Sequence, residues 1–205
     1  MSDVFYTPPA SALNNSSAKT DPPFFTVSQK KLTVMFIITS GLYGMYWCFK
    51  NWSHYRAYSG RPIWPLPRTV FGLIYLPSLF YKIDGTLKEQ GKGRMPYWAA
   101  SVAGIFILTF APHIVGFLIG FFAALSGRPY EGIGMFTTLA VATIPLLLIC
   151  LILRRVQSFI NLLSGDTEGR SNGDFTRWNI LWMAIGVVYW IVGLTVSVSM
   201  TQAPA

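Results

Sequence analysis

The sequence predicts an all-α fold: a polytopic bundle of transmembrane helices with four clear spans and one short segment that is re-entrant, interfacial or tilted. Three observations predict it. The chain of 205 residues is 52 % hydrophobic and 16 % aromatic but only 12 % charged, about half the charged share of a soluble domain, and its mean hydropathy is +0.44. Apolar runs at 32–50, 97–125, 133–153 and 178–200 approach or exceed the roughly 20 residues a helix needs to cross a hydrocarbon core of about 30 Å. Lysines and arginines gather at the ends of these runs, where the positive-inside rule places them.

The same placement decides how the formal charge of +8 is read. In a soluble protein it would suggest nucleic acid. Here the charges are topological signals first, so no nucleic acid is expected; the partner is the lipid bilayer, with an anionic-lipid surface favoured. A membrane-protein partner or a homo-oligomer also suits such a bundle. Cys48 and Cys150 fall inside apolar runs without CxxC or zinc-type spacing, and read as small apolar side chains rather than a disulfide.

Residues 1–23 are rich in Ser, Ala, Asn and Pro and cannot bury enough surface to fold, which predicts a disordered tail. A single transmembrane domain over 24–200 and a short tail over 201–205 follow. No charged segment leads into an apolar core near Met1, so no cleavable signal peptide is expected. Ser28 is placed to cap a helix, with Val27 and Leu32 as a hydrophobic staple.

The stretch from Leu32 to Gly60 starts as membrane-soluble sequence and ends as basic, aromatic sequence. As one helix it would run about 43 Å, so its last third must emerge into headgroups or water. Helical spacing gathers Tyr43, Tyr46, Trp47, Lys50, Asn51 and His54 on one broad face. That face reads as an interfacial aromatic belt followed by basic anchors, or as a docking face for a lipid headgroup or a partner helix.

The proline-punctuated residues 61–68 should lie along the interface. In the short segment near 67–82, the apolar run from Thr69 to Tyr81 covers only about 20 Å as helix, too little to span unaided. The run from Tyr97 to Leu125 is long enough to cross, with Pro112 kinking or interrupting it and Gly116 and Gly120 spaced for close helix approach. A short turn at 126–132 leads to the span from Ile133 to Leu153, closed by Arg154 and Arg155. A helical pattern persists to Gly165 as a surface helix, with Gln157 and Asn161 on its polar side. After a charged loop at 166–174, Thr176 can cap the final span, with Phe175 and Ile180 as its staple.

Val27-Ser28, Lys31-Leu32, Thr39, Gly41-Leu42-Tyr43, Tyr46-Trp47 and Lys50-Asn51-Trp52, with Arg68, Phe71, Gln157, Asn161, Phe175 and Asn179 further on, resemble a family of bacterial inner-membrane proteins of uncharacterised function. Its signature is Thr-x-Gly-Leu-Tyr-x-x-Tyr-Trp-x-x-Lys-Asn-Trp. The resemblance implies a bacterial inner (cytoplasmic) membrane location and a multi-pass architecture, and it supplies no reaction.

Chemistry is sparse in the sequence. All eight Asp and Glu read as tail or loop residues, so no carboxylate is expected mid-membrane to relay protons or hold a cation. No phosphate-binding loop, HExxH or nucleophile–base pair occurs. No metal, cofactor or enzymatic activity is expected. His113, deep in an apolar run beside Pro112, reads as a neutral imidazole bonded to a carbonyl that the kink frees, ahead of a proton shuttle or gate. The candidate binding surface is Lys50, Arg56, Arg61 and Arg68 beside Trp47, Trp52 and Trp64, with Tyr43 and Tyr46. The expected role is a non-enzymatic membrane module binding lipid or a partner, with a small-solute channel or transporter as the alternative. Charge distribution places 82–94 and 154–177 in the cytoplasm and the C-terminus outside, and leaves the side of the N-terminus open.

Overall fold

A computed structural model describes residues 22–127 and 135–202. The predicted disordered tail, apart from Pro22 and Pro23, lies outside the described residues, as do most of the turn predicted at 126–132 and the end of the C-terminal tail. Among the described residues the repeating structure is all helical: α1 (Gln29–Ile38), α2 (Leu42–Ser59), α3 (Pro65–Val70), α4 (Gly72–Glu89), α5 (Trp98–Leu125), α6 (Met135–Ser164) and α7 (Arg177–Gln202). A 3₁₀ turn at Arg170–Asn172 sits between α6 and α7.

Among the described residues, three helices are long and apolar enough to cross a membrane: α5 over its whole length, α6 over Thr137–Ser164 and α7 over Arg177–Val196. Pro112 and Pro145 both lie inside continuous helices. The span and the surface helix expected around Arg154 are one helix, and one face of its last turns is covered, with Val156, Gln157, Ile160 and Asn161 buried while Arg154, Arg155 and Ser158 stay exposed. Thr176 caps α7 as expected, accepting from the Asn179 amide at 3.3 Å, whereas Ile180 is exposed.

The stretch predicted to contain the first span is not one helix. α1 ends in a Schellman-type closure in which Ser40 N–H donates to Ile37 C=O at 3.0 Å and Gly41 N–H to Phe36 C=O at 2.8 Å. Ser40 and Gly41 are both left-handed, with φ of 52° and 88°, a conformation that costs glycine nothing. The Thr39 hydroxyl donates to Met35 C=O at 2.7 Å and accepts from Tyr43 N–H at 3.0 Å, so one side chain closes α1 and caps α2.

The break reverses the chain. Phe25 N–H donates to Asn51 Oδ1 at 3.2 Å, and the Phe24 and Tyr55 rings stack at 5.5 Å, so the residues entering α1 lie beside the second half of α2. α1 and α2 are therefore an antiparallel hairpin. The 10 residues of α1 measure about 15 Å, half a hydrocarbon core.

The hairpin inserts among the long helices. At its open end Lys31 Nζ donates to Asn172 Oδ1 at 2.7 Å and to Asp174 C=O at 2.6 Å, level with the loop between α6 and α7. At its tip Gly41 lies against Leu146 of α6, and Gly186 of α7 touches the Ile38 carbonyl so closely that a Cβ would collide. Trp190 Nε1 also donates to Ile37 C=O at 3.2 Å.

The short segment near 67–82 belongs to α3 and α4. α4 buries Leu76, Leu79, Phe80, Ile83 and Leu87, an i, i+3, i+4 stripe that continues past Lys82 and carries the helix to Glu89. Asp84 and Glu89, read from sequence as loop residues, are thus helical, and Asp84 is buried. The core gathers at this end of the bundle, around Phe24, Leu32, Trp47, Trp52, Phe80 and Ile160.

Candidate functional site

The predicted site residues separate into an inner and an outer set. Tyr43, Trp47, Asn51 and Trp52 do share one side of α2, but that side is buried in the protein. An aromatic belt at Trp47 is corrected accordingly: its ring is buried with Nε1 bonded to Gln157 of α6, and Trp52 of the candidate binding surface is likewise buried, beneath the Arg68 guanidinium.

The inner set builds a polar clamp around residues 25–28, which belong to no helix or strand and whose backbone finds one backbone partner nearby in the α6–α7 loop, Ser28 N–H donating to Asn172 C=O at 3.3 Å. Buried backbone groups need partners, and side-chain amides supply them. Asn51 accepts from Phe25 N–H and donates to Trp47 C=O at 2.8 Å. Gln157 accepts from Trp47 Nε1 at 2.6 Å, and its Nε2 donates to Phe25 C=O at 3.0 Å and to Asn161 Oδ1 at 2.7 Å. Asn161 Nδ2 reaches Val27 C=O at 3.0 Å, and Asn172 Nδ2 reaches Thr26 C=O at 3.0 Å. Asn51, Gln157 and Asn161 are each 0 % exposed. The placement of Gln157 and Asn161 on a polar, outward side is therefore reversed.

Lys31 is a member that sequence reasoning missed, because the lysines and arginines at the ends of apolar runs read as topological signals. It is buried at the open end of the hairpin. Burial lowers its pKa from the usual lysine value, and the Asp174 charge opposes that shift.

The outer set is smaller than expected. Lys50 and Arg68 lie over aromatic faces: Lys50 Nζ is 5.6 Å from the Phe25 ring centre, and the Arg68 guanidinium is 4.4 Å from Trp52 and 5.1 Å from Tyr75. Arg56 and Arg61 are exposed and line a groove of about 820 Å³ with Phe49, Pro62, Pro65 and Leu66. Trp64 and Tyr46 are also exposed, Trp64 at 74 %.

Two further ionisable groups are placed by the fold. The Asp84 carboxylate accepts from Arg94 at 2.8 Å and from Met95 N–H at 2.8 Å, pinning the 90–97 connection onto α4. The Arg94 hydrogen bond holds its carboxyl below the usual range, assisted by the Met95 amide and opposed by burial. His113 is exposed on α5 with Nδ1 2.9 Å from Thr109 C=O. The expected partner is corrected: the carbonyl that Pro112 leaves without its helical donor belongs to Leu108, four residues earlier, and His113 instead bonds back one turn along its own helix.

Among the described residues no group of three or more His, Cys, Asp or Glu stands close enough to hold a metal ion. No family model, no curated protein and no solved structure matches the chain.

Proposed function

We propose that the protein is a non-enzymatic, multi-pass module of the bacterial inner membrane that binds anionic lipid headgroups in the groove between α2 and α3. The carrying observation is the pair Arg56 and Arg61, exposed on an apolar-walled groove and, among the described residues, bridged to no carboxylate. Apolar walls accept the upper part of a lipid while the guanidiniums meet its phosphate.

The proposed topology supports this placement. The first apolar stretch enters the membrane as the α1–α2 hairpin and returns to the side it came from, while α5, α6 and α7 cross. Of the 16 lysines and arginines, only Arg128 then falls on the far side. Such asymmetry favours a cytoplasmic N-terminus, an external C-terminus and a groove facing the anionic cytoplasmic leaflet.

Each guanidinium near that surface contributes about 1 kcal/mol to anionic-lipid association. The double variant Arg56→Gln/Arg61→Gln should thus retain several-fold less phosphatidylglycerol than wild type by native mass spectrometry, with phosphatidylcholine retention unchanged. Equal phosphatidylglycerol retention would remove the proposal.

A further inference from the structure

A second cavity, of about 580 Å³, lies between the α1–α2 hairpin and the start of α7. Its volume is that of a site for one small ligand or chain. The inner wall is Met35, Thr39 and Tyr43, all buried, and the rim is Met45, Trp178 and Trp182, which are exposed on the outside of the bundle. The polar end is Thr176 and Asn179, at the first turn of α7.

The lining has no charged side chain, yet it carries hydrogen-bonding capacity that the protein does not use. The Tyr43 hydroxyl is shut away from solvent and has no partner among the described residues, although buried hydroxyls are costly to leave unsatisfied. Asn179 Oδ1 is engaged by the Thr176 amide and hydroxyl at 3.0 and 3.1 Å, which leaves its Nδ2 as a donor. The Thr39 hydroxyl is already committed on both sides. A suitable occupant is hydrocarbon along most of its length and bears neutral acceptor oxygens. It enters sideways from the membrane, past Met45, Trp178 and Trp182, which are exposed.

We infer that this cleft holds one acyl chain of a membrane phospholipid, whose ester oxygens accept from Tyr43 Oη and Asn179 Nδ2. Met35 and Met45, the most adaptable of apolar side chains, part to admit it and to open the enclosed Tyr43 hydroxyl to its ester oxygen. The site is independent of the Arg56–Arg61 groove and indifferent to headgroup charge, so either can fail without the other.

The test uses the full-length protein in nanodiscs of phosphatidylcholine doped with phosphatidylcholine that carries a diazirine in its acyl chain. After photolysis, adducts should concentrate on peptides containing Met35, Met45 and 178–182. Tyr43→Phe should lower that yield about two- to tenfold, the range of one lost neutral hydrogen bond. Met45→Trp, at a half-exposed position, should lower it by filling the cleft, while Tyr58→Phe, at an exposed tyrosine of α2 outside the cleft, should leave it unchanged. Adducts spread evenly over the outward faces of α5 and α7, or a cleft yield equal in wild type, Tyr43→Phe and Met45→Trp, would overturn the inference. Absence of cleft adducts together with dimers in native mass spectra would overturn it in favour of a second copy of the chain.

Discussion

Single side chains decide how the end of the bundle holds together. Gln157 satisfies Trp47, Phe25 and Asn161 at once, so Gln157→Ala leaves several buried groups unpaired and should cost at least about 2 kcal/mol. Thermal unfolding followed by tryptophan fluorescence would register this as a lower midpoint. Asp84 gives a pH signature instead. Its folded pKa lies below the ordinary value, so its contribution is fully present above about pH 4 and is lost as pH falls through the folded pKa. Proteolysis of the 90–97 connection should accordingly rise only below about pH 4 in the wild type and be raised at neutral pH in Asp84→Asn. A wild-type rise already near pH 6 would contradict the pairing.

At the scale of elements, what was legible in the sequence depended on what run length can report. α5, α6 and α7 are visible as long apolar runs, and the Ser28 and Thr176 caps as local residue patterns. The hairpin is invisible to length and hydropathy, because neither reports where an apolar stretch reverses direction. Its signal was Thr39-Ser40-Gly41, a capping hydroxyl followed by two left-handed positions. The clamp was less accessible still: Gln157 and Asn161 look like a polar face until their partners, the backbone of Phe25 and Val27, arrive from 132 and 134 residues away. Glycine spacing misled in the same way. Gly116 and Gly120 meet no neighbour, while the close approach is at Gly186 against Ile38. Gly186→Ala should therefore destabilise by about 1–3 kcal/mol through overpacking, and Gly120→Ala should be nearly neutral in the same unfolding assay. Equal effects would mean that α7 does not hold the hairpin tip.

For the whole molecule, the α1–α2 hairpin, proposed to be re-entrant, is the feature on which the proposed topology, its charge asymmetry and both proposed lipid sites rest. A crossing first segment would separate the N-terminal tail from the groove; a returning one keeps them on the same side as the loop between α6 and α7. Single cysteines at Ser16, Pro62, Ser171 and Gln202, each in a Cys48→Ala/Cys150→Ala background, can be probed in intact cells with a membrane-impermeant thiol reagent. With a returning hairpin, Ser16→Cys, Pro62→Cys and Ser171→Cys should resist the reagent until the cells are lysed, whereas Gln202→Cys should react at once. Labelling of Ser16→Cys but not Pro62→Cys, or the reverse, would show that the chain crosses between them and would contradict the hairpin.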